Sequence, residues 1–90
     1  MAILRNPTDY KTMSMVELRS EKTSLEMIIY IEEFFFIDNL KNTVAECGTE
    51  VLNVLPRGYL SRVHLASRIV KGAKSRIDVI DLELARRADP

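Results

Sequence analysis

Residues 59–88, YLSRVHLASRIVKGAKSRIDVIDLELARRA, decide the fold. Within them Tyr59, Val63, Ala66, Val70, Ala73, Ile77, Ile80 and Leu84 follow one another at alternating steps of four and three. That spacing aligns their side chains along one side of a helix. The line is apolar throughout, and an apolar helix stripe is stable only when another element covers it. A second helical surface is therefore required, in this chain or in a partner.

The obvious candidate lies upstream. Ser14-Met15-Val16-Glu17 has the pattern of a capping box, in which the serine hydroxyl and the glutamate carboxylate each bond the other residue's amide. Met13 and Leu18 sit where a hydrophobic staple would place them. The spacing predicts a helix over about 14–46, with a possible restart or kink at the second box, Thr23-Ser24-Leu25-Glu26. Its apolar residues occupy several sides. Leu18, Leu25, Ile29, Phe36, Leu40 and Cys47 share one; Tyr30, Ile37 and Val44 share another; Met27, Ile31 and Phe34, with Phe35 and Ile28, make a third. A helix apolar on several sides is surrounded by others. Met27–Ile31 and Phe34–Ile37 also have strand-like composition, but no turn separates them, and length favours a helix.

Gly48 suits a helix end, and Pro56-Arg57-Gly58 breaks the chain again, leaving room for one or two short helical turns between. Residues 1–12, with Asn6-Pro7 and Thr8-Asp9, read as an extended arm. The expected architecture is all-α. An elongated antiparallel helical hairpin over 13–90 has helices at about 14–46 and 59–88, a connector at 47–58, and is completed by oligomerisation.

Composition narrows the possibilities. The chain is 47% apolar and 29% charged, with no tryptophan and a formal net charge of zero. Three glycines and three prolines in 90 residues are few breakers, which again favours long helices. Residues 1–48 carry five Lys/Arg against eight Asp/Glu, and residues 49–90 carry eight against five. Cys47 is the only cysteine, which excludes an intrachain disulfide; near a helix end it reads as a small buried apolar residue. The apolar region Leu25–Leu40 contains Glu26, Glu32, Glu33 and Asp38, so no membrane span is expected and the chain reads as soluble and cytoplasmic.

Chemistry-bearing motifs are few. His64 is the only histidine, no Cys/His/Asp/Glu group has metal-ligand spacing, and there is no phosphate-binding glycine loop or nucleophile motif. No cofactor, metal or catalytic residue is expected. Arg57 and His64 resemble the arginine–histidine pair of the helical ribonucleases called HEPN. Arg76–Leu84 resembles the opening of the first helix of helical chorismate mutases. In neither case do the family's remaining residues follow, so Arg57 and His64 read as surface residues and the second resemblance as coincidence.

The functional expectation is a small assembly or adaptor protein acting by helix-face docking, with itself or another protein. Its contact residues are Val63, Ala66, Val70, Ala73, Ile77, Ile80 and Leu84, with the aromatic cluster Phe34, Phe35 and Phe36. The alternative is a nucleic-acid-binding regulator. It would use Arg57, Arg62, His64, Arg68, Lys71 and Lys74, within a stretch from Arg57 to Arg76 that contains no acid. Those cations equally suit the acidic residues of the first helix.

Overall fold

The computed structural model describes residues 7–88. A 3-10 helix, Pro7–Thr12, leads into α1 (Met15–Glu32), a π-helical segment (Glu33–Asp38) and α2 (Asn39–Cys47). A second 3-10 helix, Thr49–Asn53, connects this rod to α3 (Tyr59–Ala88). Among the described residues there is no strand, so Met27–Ile31 and Phe34–Ile37 are helical.

The start of α1 follows from its cap. Ser14 Oγ accepts the Glu17 amide at 3.1 Å, and Glu17 Oε1 accepts the Ser14 amide at 3.1 Å. Met13 and Leu18, the staple pair, are both buried. No break occurs at Thr23, whose hydroxyl instead donates to the Arg19 carbonyl within the helix. The rod stops at Gly48, which adopts φ 83°; Gly58 adopts φ 87° just before α3. Both values are left-handed and cheap only for glycine.

The two long elements run antiparallel. Lys22 pairs with Asp81 near the chain ends, and Glu32 pairs with Arg62 nearer the loop. Between α1 and α3, Leu18, Leu25, Ala73 and Ile80 are fully covered, with Ile29, Ile77, Val79 and Leu84 packed around them. Burial of each such leucine or isoleucine stabilises by ~1.5–3 kcal/mol, and the small Ala73 side chain lets the helices approach closely. The molecule measures 56 × 23 × 15 Å with a radius of gyration of 16.9 Å. A globular chain of this length would have about 12 Å.

Two expectations need correction. Residues 7–12 are not extended; they form a 3-10 helix whose Tyr10 is buried in the hairpin core. Arg87 Nη2 holds this segment by donating to the carbonyls of Tyr10 (3.2 Å) and Lys11 (3.1 Å), a contact between the two ends of the chain. Residues 1–6 of the expected arm lie outside the described residues. The first rod is also not uniformly α-helical. Its π segment holds one wide turn, which rotates everything beyond it relative to α1. Consequently Cys47, expected on the covered face with Leu18 and Leu25, is exposed.

The rotation opens the loop end of the hairpin. α2 contacts the π segment and the connector but barely meets α3, and neither α2 nor the connector contains a buried residue. The core therefore sits in the half holding the chain ends. At the loop end an open apolar groove of about 470 Å³ separates α2 from the start of α3.

Candidate functional site

The α3 seam is occupied within the chain. Ala66, Val70, Ala73 and Ile80 are buried, Ile77 and Leu84 are half-buried against the core, and Val63 lines the loop-end groove. Its physical role is to hold the hairpin together, and the part of it between Ala66 and Leu84 is not free for another molecule.

The phenylalanine cluster divides. Phe36 is half-buried, with the Arg62 guanidinium 3.8 Å from its ring centre. Arg62 Nη2 also donates to Glu32 Oε1 at 2.8 Å, so one cation closes both the end of α1 and the π segment onto α3. Phe34 and Phe35 point the other way and are exposed. Phe34 stacks on Tyr30 at 5.8 Å and meets Phe35 edge-on at 5.1 Å. Such ring pairs each contribute about 0.5–1.5 kcal/mol of mutual stabilisation, which holds a preformed ridge on the outside of the rod.

That ridge continues along α1. Met27, Tyr30, Ile31, Phe34 and Phe35 fall at the i, i+3, i+4, i+7, i+8 spacing of one helix face, and all are exposed. Toward the N-terminus the same face carries Val16, Ser20, Thr23 and Ser24, also exposed. No charged side chain lies among these positions. Isolated exposed apolar residues are ordinary, whereas contiguous exposed apolar patches are uncommon on monomeric proteins. The sequence pattern identified the side holding Met27, Ile31 and Phe34. It could not show that this side, rather than the α3 seam, is the one left uncovered.

The basic residues do not form a continuous free strip. Arg62 is held by Glu32, and Lys74 lies 3.6 Å from Glu33. Arg68 and Lys71 are exposed on α3, Arg57 is exposed in the connector, and His64 borders the loop-end groove. Half of the expected phosphate-contact set thus meets acids of the first rod or an apolar groove, as expected from the opposed charges of the two halves. Among the described residues no His/Cys/Asp/Glu group is arranged to hold a metal ion, and no helix is long and apolar enough to cross a membrane.

Near the chain ends, Glu83 accepts hydrogen bonds from Arg86 and from Arg87, the latter at 2.6 Å. These bonds, that of Arg86 foremost, lower the Glu83 carboxyl to a pKa of about 2. The network orients Arg87 toward the Pro7–Thr12 segment and so fastens the closed end of the hairpin. It is structural equipment behind the exposed face.

Comparison with family models, curated proteins and solved structures finds no match to this chain.

Proposed function

We propose that this protein is a small helical assembly subunit that acts by helix-face docking, and that its docking surface is the outward face of α1 and the π segment. The observation that carries this reading is the preformed ridge of Tyr30, Phe34 and Phe35, exposed beside Met27 and Ile31. Aromatic residues and methionine are enriched, and charged ones depleted, at the centres of protein interfaces. The α3 seam supplies the rigid back that presents the ridge.

The test separates folding from docking. A Phe34→Glu/Phe35→Glu variant alters exposed positions and loses two ring contacts, so it stays folded and helical with a modestly lower thermal midpoint when it is dilute and purified. In size-fractionated extracts of cells expressing either form, wild type migrates in a larger species and the variant does not. Identical migration of the two folded forms overturns the reading.

A further inference from the structure

The α1 face carries two complementary features. On one side of Met27 stands the ridge formed by Tyr30, Ile31, Phe34 and Phe35. On the other is a shallow depression of about 320 Å³ lined by Met13, Val16, Glu17, Ser20, Glu21 and Ser24. Phe34 lies seven residues after Met27, and Ser20 seven before it, so ridge and depression stand about 10 Å to either side.

We infer that the occupant of this face is a second copy of the chain, packed antiparallel about a two-fold axis at Met27, with each copy's ridge in the other's depression. This rests on the docking reading above and names its partner. The two-fold brings Phe34 opposite Ser20, Ile31 opposite Thr23, Tyr30 opposite Ser24 and Met27 opposite itself, with Phe35 opposite Arg19 and Val16 opposite Asp38 at the edges. A two-fold interface must be self-complementary, and this face carries both halves of such a fit on one helix. A different partner would need only one of them.

The areas agree with this arrangement. Val16, Met27, Tyr30, Ile31, Phe34 and Phe35 are 78%, 60%, 65%, 44%, 54% and 54% exposed. On side chains of roughly 150–250 Å² these fractions amount to about 700 Å² per copy, near the ~800 Å² each partner contributes to a standard specific interface. The chain's accessible surface is 6725 Å², roughly a quarter above the ~5,300 Å² expected for a folded monomer of this mass.

The experiment is light scattering after size exclusion on the purified full chain across a concentration series, with circular dichroism to confirm folding. Wild type runs at twice the monomer mass when concentrated and dissociates on dilution. Phe34→Ser leaves serine opposite serine, and Ser20→Phe sets phenylalanine against phenylalanine. Each single variant weakens association by at least about tenfold. The double variant Ser20→Phe/Phe34→Ser again sets phenylalanine opposite serine at both symmetry-related 20–34 contacts and restores the dimer. In a Cys47→Ser background, Met27→Cys cross-links to its own copy under mild oxidation. Wild type that stays monomeric at every concentration, or a folded Ser20→Phe chain that dimerises like wild type, overturns the inference. A monomeric wild type whose larger species in extracts still requires Phe34 and Phe35 would defeat self-pairing while leaving the docking reading intact.

Discussion

Arg62 Nη2 donates to Glu32 Oε1 across 2.8 Å, joining the first turns of α3 to the last residue of α1 where the rod changes from α to π geometry. The Glu32 side chain is 12% exposed and that of Arg62 34%, so the pair is only partly screened by water. Removing one partner leaves a largely buried charge without its bond, which costs more than the pair itself contributes. Arg62→Met therefore destabilises by about 2 kcal/mol, and adding Glu32→Leu recovers most of it. A double-mutant cycle in urea checks this; no recovery would mean that Arg62 acts through Phe36 alone.

The second prediction concerns the inner seam. Ala66 and Ala73 are completely buried in the α3 seam. A buried carboxylate at either position has no partner and no room. Ala66→Glu/Ala73→Glu therefore unfolds the chain, read by circular dichroism, whereas glutamate at Phe34 leaves it folded. Leu25→Ala, which opens a cavity without adding charge, costs about 2–5 kcal/mol. An intact thermal midpoint in the seam variant would mean that α1 and α3 are not held by this line.

Acid provides a third. The bonds from Arg86 and Arg87 lower the Glu83 pKa from the ordinary 4.5 to about 2. A carboxyl with a depressed folded-state pKa contributes stability that is fully present above about pH 4.5 and is lost as the pH falls toward 2. Glu83→Gln thus lowers the thermal midpoint at neutral pH, and its difference from wild type disappears near pH 2. Because Arg87 also holds the Tyr10 carbonyl, Tyr10 fluorescence follows the same loss. A gap between the two proteins that is unchanged across this range would contradict the assignment.

The nucleic-acid alternative makes an opposing prediction. With Arg62 and Lys74 engaged by acids of the first rod, exposed Arg57, Arg68 and Lys71 present a weak field. Heparin retention of wild type is expected to be slight at low salt and little changed by Arg68→Glu/Lys71→Glu. Strong retention that falls steeply with salt and is lost in this variant would restore the basic strip as the functional surface.

What was legible in the sequence was local. The Ser14–Glu17 box, the stop at Gly48 and the 59–88 seam are set by neighbours within a turn or two, and all three form. The π segment was not legible; the contacts that accompany it, of Phe36 and Glu32 with Arg62, join residues roughly thirty positions apart. The same distance in sequence concealed the burial of Tyr10 under the end of α3; Pro7, a good first residue for a helical turn, was its only local signal. At the candidate site, sequence grouped Phe34, Phe35 and Phe36 by proximity. The structure separates them, since a wide helical turn sends Phe36 inward and leaves the other two outside. Sequence also set the first helix beside the α3 stripe, without deciding how much of the stripe α1 would leave for another molecule.

The measurement that bears most directly on the central claim is hydroxyl-radical footprinting of the chain in intact cells, compared with dilute purified protein. Met27, Tyr30, Phe34 and Phe35 are expected to oxidise severalfold more slowly in cells, with exposed Leu65 on α3 unchanged as reference. Equal oxidation of the four side chains in both settings would show that the outward face stays bare where the protein works, and the docking account would be wrong.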